Sequence, residues 1–518
     1  MKKRRNAGRG SGVLALIMML AVWLSGCSGG APAATKPEPA PAPAPAAGET
    51  KQASAELPPV ELQYYFAANV QNLKDLPLVE AEMNKIVKAK INATVKLNAI
   101  DFAAFDQKMN IKSASGEPYD LVFTAPWKNN YFQNVAKGTL LPLDDLLAKY
   151  APTLKATVPA KIWDATRVNG KIYGAINWQI VAMAYGVSMP KMWVDKYKID
   201  INNIKSLKDV EPYLAKWEEK WPAYHGGENK FTQAPPFFGF DSVGDDASVG
   251  WVRLNDKDLK VVNQYESPEF KELIETTYDW RKKGFIPPDA VLYTDEKRLA
   301  DQKAGKTELL LSINGPAPPG VENAEKQKIG VEIVVKPISK PLITTNRAIA
   351  TMTGISKTSQ NPERAMMFLE LINTDKDLYN LLCNGIEGKH YKMVDKTKGL
   401  IEKIPDSGYN PSTDWMFGNQ FNGYYTSPES VGNWEKTIQM NAEGEVSPLL
   451  GFNFNPEPIK SELAQVSSVW KEYSGALMTG SADPQTKYPE FLDKLKKAGA
   501  DKIIAEKQKQ IDEWRKSK

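Results

Sequence analysis

Apolar positions along the chain switch repeatedly between two spacings, and the switches predict alternating strands and helices. "VELQYYF", from Val60 to Phe66, reads as a strand, and Leu78, Val79, Met83, Ile86 and Val87 then fall three and four residues apart, as on one helix face. "ATVKLNAI" sets Val95, Leu97 and Ala99 on alternate positions, the period of a second strand. Phe102, Phe105 and Met109 form a second helical stripe, and "YDLVFT", from Tyr119 to Thr124, is a continuous apolar run of strand length. A β-α-β-α-β order implies parallel strands covered by helices, so the expected fold class is α/β.

Further on, Asn169-Gly170 in "VNGKIYGAI" is a hairpin signal, and "AMAYGVSMP" reads as a strand ending at Pro190. A helix is expected after Ser206, with Asp209 as its capping partner. Another opens at Ser267-Pro268, with Phe270, Leu273, Ile274 and Thr277 on one face. "TELLLSINGPAPPG" predicts a buried strand entering a turn, "VEIVVKPI" and "AIATMTGIS" two more strands, and "NPERAMMFLELI" a helix with proline in its first turn. From about Tyr488 the chain is charged and helical. The stretch from about Val60 to Lys518 is more than one core usually serves, so at least two lobes are expected.

The first residues follow neither rhythm. Lys2, Lys3, Arg4, Arg5 and Arg9 precede the apolar run "VLALIMMLAVWL", which is shorter than the ~20 residues needed to span a bilayer. A basic segment, a short apolar segment and small residues are the layout of a secretory signal, here residues 1–26. Leu24-Ser25-Gly26-Cys27 resembles the bacterial lipobox, in which the cysteine thiol is acylated and becomes the mature N-terminus. Two or more acyl chains, palmitate among them, hold a protein stably on a membrane, so Cys27 is the expected anchor. Residues 27–59 then carry the lipidated cysteine and a Pro/Ala-rich stretch whose composition offers no buried face, expected to be a disordered tether.

Cleavage before Cys27 changes the charge. The chain has 66 Lys+Arg and 62 Asp+Glu; without the five basic residues of the leader the balance is 61 against 62. No polybasic block remains, which argues against nucleic acid or an anionic membrane surface as partner. Cys383 is then the one thiol left, so no internal disulfide is expected. The two histidines, His225 and His390, lack the spacing of a metal site, and no metal or cofactor is expected.

Several segments together resemble a known family. "GTLLPLDDLL", "NGKIYGAI", "LLLSINGP" and "GISKTSQNPERAMMFLELI", in that order behind a lipobox and a βαβαβ start, are similar to the extracellular solute-binding proteins of ABC importers, the maltose-binding-like family 1. The resemblance runs from about residue 60 to residue 384. "CNGIEGKHYKMVD" and "FGNQFNGYYTSPES" look like an uncharacterised C-terminal region attached to some Gram-positive members. The resemblance implies a periplasmic-binding-protein-like fold of two α/β lobes that close on a ligand. The solute-binding core would span residues 60–390, with lobe one at about 60–172 plus 348–390 and lobe two from about 173–341. Residues 391–518 would complete lobe two, and the crossings would lie near 174–185 and 338–347.

Ligands of parallel α/β sheets bind beyond the carboxyl ends of the strands. Four expected strand ends, "YFAANVQN", "FTAPWKNNY", "AINWQ" and "SINGP", carry aromatic and amide groups. A sugar has apolar C–H faces and a rim of hydroxyls. Trp127 and Trp178 suit the faces, and Asn69, Gln71, Asn177, Gln179 and Asn314 suit the hydroxyls. With no cluster of basic residues at these ends the expected sugar is neutral, although Lys128 could serve one carboxylate. The aromatic segment from Tyr409 to Tyr425 either completes the cleft through Trp415 or Phe417 or serves packing; packing is the favoured reading.

Catalytic patterns are weak. Asp245-Asp246 and Glu218-Glu219 are adjacent pairs whose side chains diverge, His225 lies in a polar loop-like stretch, and no nucleophile elbow, P-loop or dinucleotide fingerprint appears. No catalytic residue is assigned. The expected function is a monomeric, membrane-anchored binding protein on the extracellular face that delivers a carbohydrate, an oligosaccharide by preference, to ABC permease subunits. The alternative is a surface-anchored polysaccharide-processing enzyme or a lipoprotein chaperone.

Overall fold

In the computed structural model the strands Val60–Ala68, Ala93–Asp101 and Leu121–Thr124 lie side by side and parallel, the first in the middle. The structure describes residues 57–517 except 219, 220, 224–229, 245, 307 and 311. The signal, Cys27, all but the last three residues of the tether, Glu219, His225 and Asp245 therefore lie outside the described residues.

The crossover helix Leu76–Ile91 covers this sheet with Val79, Met83, Val87 and Ile91, one side chain per turn. Leu78, expected on that face, is exposed instead. It belongs to the first turn, with Pro77 at the helix start, and its Cβ points away from the stripe of four. Phe105 and Met109 are buried beneath the helix Phe105–Ser115, and Phe102 packs from just outside it. Two later strands complete the sheet. Met352–Ile355 pairs antiparallel to Leu121–Thr124, and Gly174–Ile176 pairs antiparallel to Met352–Ile355. The chain therefore does not leave this lobe at Ile172 but one strand later. Asn169 and Gly170, both at positive φ, turn the short hairpin that joins Arg167–Val168 to Lys171–Ile172.

The second lobe is built around the strand Tyr185–Pro190, with Ser312–Pro316 and Ile333–Pro337 antiparallel on either side. A smaller antiparallel sheet, Phe240–Ser242, Trp251–Arg253 and Val261–Val262, shares a core with the helices Pro268–Lys282, Lys460–Met478, Pro484–Lys497 and Ala500–Ser517. The expected cap is present at Ser267, whose hydroxyl accepts from Phe270 N at 3.1 Å. Ser206 and Asp209 form the expected box, but the turn behind it is a short 3-10 helix, Leu207–Val210, with Pro212 following.

The C-terminal third divides between the lobes. Tyr409, Met416 and Phe417 are buried in the first core, so residues from Tyr391 to about Asn441 build on lobe one rather than completing lobe two. Phe417 carries the correction: its ring meets Tyr64 edge-on at 6.0 Å and Phe66 at 5.1 Å, both on the strand Val60–Ala68 of the first sheet. The chain enters lobe two by a third crossing near residues 444–451. All three crossings are joined by backbone bonds. Met183 bridges Leu342, and Leu342–Ile343 pairs parallel with Glu445–Val446. Gly444 permits this approach, because a Cβ there would lie 2.6 Å from that of Ala182.

Candidate functional site

The strand Leu121–Thr124 ends in a loop whose own polar groups fix its shape. Thr124 Oγ1 donates to Asn129 O at 2.6 Å, Ala125 N donates to Lys128 O at 2.9 Å, and Asn129 Nδ2 donates to Phe123 O at 2.9 Å. The loop projects Trp127 outward, so that the side chain is 52% exposed although it is the largest apolar group in the segment. Its indole N–H is used, donating to Ala350 O at 2.8 Å. Phe123 supports one side at 5.9 Å and Trp415 another at 5.8 Å. A half-exposed ring held at its edge is ready to receive an apolar surface without losing further freedom.

Trp415 is brought here by buried amides. Asn177 Nδ2 donates to Met416 O at 2.5 Å while its Oδ1 accepts from Thr353 Oγ1 at 3.3 Å. Gln179 Nε2 donates to Thr351 Oγ1 at 2.6 Å. Gln420 N donates to Trp178 O at 2.8 Å, and Gln420 Nε2 donates to Asp414 Oδ2 at 2.9 Å. Asn177 and the Gln179 amide group, expected to meet hydroxyls, are thus spent holding segment 414–420 and the neighbouring strand. Trp178 is only 7% exposed and lies 6.0 Å from Phe421, so its ring is packing rather than platform. The physical reason is common to all three: the crossing they sit on is covered by a segment far away in the chain.

Asn69 and Gln71 stand at the carboxyl end of Val60–Ala68 and are exposed. Asn69 caps the turn Val70–Asn72 by accepting from Gln71 N at 3.3 Å. Asn314 lies in the strand Ser312–Pro316 of the opposite lobe; its side chain is outside what the structure describes. Lys128 is committed within its own lobe, donating to Phe102 O at 3.0 Å and pairing with Asp106 at 3.3 Å. Trp415 is the residue that sequence reasoning left with packing; its membership of an aromatic segment was visible, its neighbour across the strand end was not.

The remaining reactive groups lie elsewhere. Burial pushes the Cys383 thiol well up, which keeps it protonated and unreactive. Glu218 pairs with Lys196 at 2.7 Å, and Asp246 accepts from the Ser242 hydroxyl. Among the described residues no three His, Cys, Asp or Glu side chains gather as a metal site, and no helix is long and apolar enough to cross a membrane.

Residues 77–377 match the family model described as bacterial extracellular solute-binding protein, and residues 448–516 match one described as a domain of unknown function. The second begins where the third crossing enters lobe two. A protein of Streptococcus pneumoniae serotype 4, named carbohydrate ABC transporter substrate-binding protein, is 30% identical over 476 residues, covering 90% of this chain and 93% of its own. Among solved structures, the N-glycan transport solute binding protein (NgtS) of Streptococcus pneumoniae superposes with a TM-score of 0.73 at 26% identity, covering 89% of this chain and 99% of its own. Its complex with Man5GlcNAc superposes with a TM-score of 0.60 at 27% identity, covering 89% and 99%.

Proposed function

From the premise that the chain belongs to the bacterial extracellular solute-binding proteins, a family of binders rather than enzymes, we propose that it captures an oligosaccharide for an ABC importer. The observation that carries this is the Trp127 indole, edge-pinned to Ala350, flanked by Trp415 and half exposed beyond a strand end of lobe one. Flat apolar surface at one strand end, with the exposed Asn69 and Gln71 following the end of the paired strand, suits a pyranose, which is apolar on its faces and polar at its rim. Asn314, on the facing lobe, would complete the ring of hydroxyl partners. The names of the relatives, a carbohydrate transporter component and an N-glycan binder, are in keeping with that chemistry.

In this reading the ligand contacts both lobes only when they are closed, so binding shifts the population toward the closed form by the free energy of those added contacts. The bonded crossings provide the hinge. Cys27, acylated after removal of the leader, would keep the body at the extracellular face beside its permease subunits, and the Pro/Ala-rich stretch would let it move there. Calorimetry of the purified chain against a panel of oligosaccharides tests the proposal. Saturable binding of at least one glycan is expected, and binding of peptides without any glycan would sink it.

A further inference from the structure

One cation where the lobes meet has no carboxylate partner among the described residues. Arg347 lies in the short helix Thr345–Ala348, at the end of the second crossing and three residues before Ala350, whose carbonyl fixes Trp127. Its backbone is set by Thr344, whose hydroxyl accepts from Arg347 N at 3.3 Å. The residue is half-buried, and the one side-chain hydrogen bond it makes among the described residues is a long one, Nη2 to Tyr185 Oη at 3.4 Å. Tyr185 is buried at the start of the central strand of lobe two. Arg347 thus bridges the lobes where they meet, beside the anchor of the aromatic platform.

A guanidinium has five donors in a planar fork, and a half-buried one is ordinarily held by a carboxylate or by several carbonyls. Other partly buried arginines conform: Arg167 pairs with Asp144 at 2.9 Å, Arg253 with Glu269 at 2.9 Å, and Arg364 donates to Ile91 O at 2.6 Å and Asn92 O at 2.9 Å. Lys128, the cation that the sequence offered for an acidic ligand, is already paired with Asp106. Arg347 has donors to spare where the lobes meet, in a planar fork that matches a carboxylate.

Resting on the carbohydrate reading above, we propose that Arg347 is a specificity-determining residue that takes the carboxylate of an acidic sugar, a uronic or sialic acid, in a two-pronged bond when the lobes close. The acidic residue of the glycan sits at the crossing, and the neutral residues extend toward Trp127. Neutral analogues lose the fork and leave the guanidinium desolvated, which separates the two classes by roughly tenfold to a hundredfold in affinity.

The test is calorimetry of the full chain on matched pairs: sialyllactose against lactose, glucuronic-acid-substituted xylo-oligosaccharide against the unsubstituted one, and each acidic member against its methyl ester. At least one acidic glycan is expected to bind tenfold or more tighter than both its neutral partner and its ester. In Arg347→Gln that difference should vanish, and Arg347→Lys should restore only part of it. Equal or tighter binding of the neutral partners overturns the assignment of Arg347 while leaving the carbohydrate reading intact. A preference that persists in folded Arg347→Gln overturns it too, since the carboxylate is then read elsewhere. Absence of binding to every glycan, acidic or neutral, removes both. The ester comparison on the unsubstituted chain overturns the assignment if acid and ester bind alike. Where Arg347→Gln does not fold, Arg347→Lys carries the residue assignment: an undiminished preference in it overturns the proposal.

Discussion

The indole of Trp127 lies 5.8 Å from that of Trp415 at an angle of 51°, joining the end of a lobe-one strand to a segment that returns to it from the C-terminal third. Trp127 is fastened by its N–H and Trp415 by the buried amide of its neighbour's partner, Asn177, so the pair is formed before any ligand arrives. Stacking a sugar on it removes apolar area from water at ~25 cal/mol per Å², worth about 1–3 kcal/mol. Trp127→Ala and Trp415→Ala should each weaken glycan binding by about tenfold to a hundredfold in calorimetry, with melting temperatures little changed for Trp127→Ala. Trp178→Ala should do the reverse, lowering the melt first, because its ring is packed on Phe421. Unaltered affinity in folded Trp127→Ala would take the platform out of the site.

The crossings supply a second expectation. Asn441 is buried, accepts from Val181 N at 2.9 Å and Ala182 N at 3.0 Å, and donates to Gln179 O at 2.8 Å, so one side chain satisfies three backbone groups of the first crossing. Asn441→Ala leaves those groups without partners in a dry place, at about 1–3 kcal/mol each before water or backbone movement relieves them. Its thermal melt should fall by several degrees, and small-angle scattering should show a broader spread of lobe separations than the unsubstituted chain. If the melt is unchanged, the amide does not hold the hinge.

The parts of the fold that could be read from sequence are those in which neighbours in the chain are neighbours in space. The Asn169-Gly170 turn and the Ser267 cap satisfy themselves within a few residues, the βαβαβ start pairs strands that follow one another along the chain, and each is present. What could not be read depends on distant returns. Met416 and Phe417 look like any apolar pair in a loop, yet they fill the first core, and their arrival is what buries Asn177 and Trp178. Asn177 and Gln179 have the composition of a sugar site; only the covering segment shows that their amides are occupied. Trp127 could be picked because its strand end is local. Arg347 could not, because an arginine in a predicted crossing says nothing of whether a carboxylate will meet it.

Membrane attachment is tested separately from binding. The leader, the small residues Ser25 and Gly26 and the composition after Cys27 are the grounds for proposing that thiol as the anchor. Cells expressing the chain should hold it in the membrane fraction, and Cys27→Ser should shift it to the medium or the soluble fraction with glycan affinity unaltered. Equal membrane retention of both would reject lipidation at Cys27.

The last expectation concerns pH and the join between the third crossing and lobe two. Asp241 lies buried on the strand Phe240–Ser242; its Oδ1 accepts from Ser242 N at 2.9 Å and its Oδ2 from the hydroxyl of Ser447, which follows Glu445–Val446. Burial, with the charge of Asp246 adding to it and the Ser447 bond opposing, pushes this carboxyl up from 3.8 to about 7. Between those values the folded chain keeps a proton that the unfolded chain has released. The contribution of Asp241 to stability is therefore whole below about pH 4, falls by at most about 1.4 kcal/mol per pH unit as pH rises, and levels off above about 7. Asp144, Glu269 and Asp375 work the other way, since their hydrogen bonds and cationic partners outweigh burial and hold them below their usual range. Their stabilisation is lost only as pH falls beneath about 4, so the two effects occupy different windows. Thermal melts of the unsubstituted chain and of Asp241→Asn should accordingly diverge between pH 4 and 7: the variant, having no proton to lose, should gain on the parent as pH rises. Parallel curves across that range would mean that Asp241 is ionised throughout, and that the bond to Ser447 is a bond to a carboxylate.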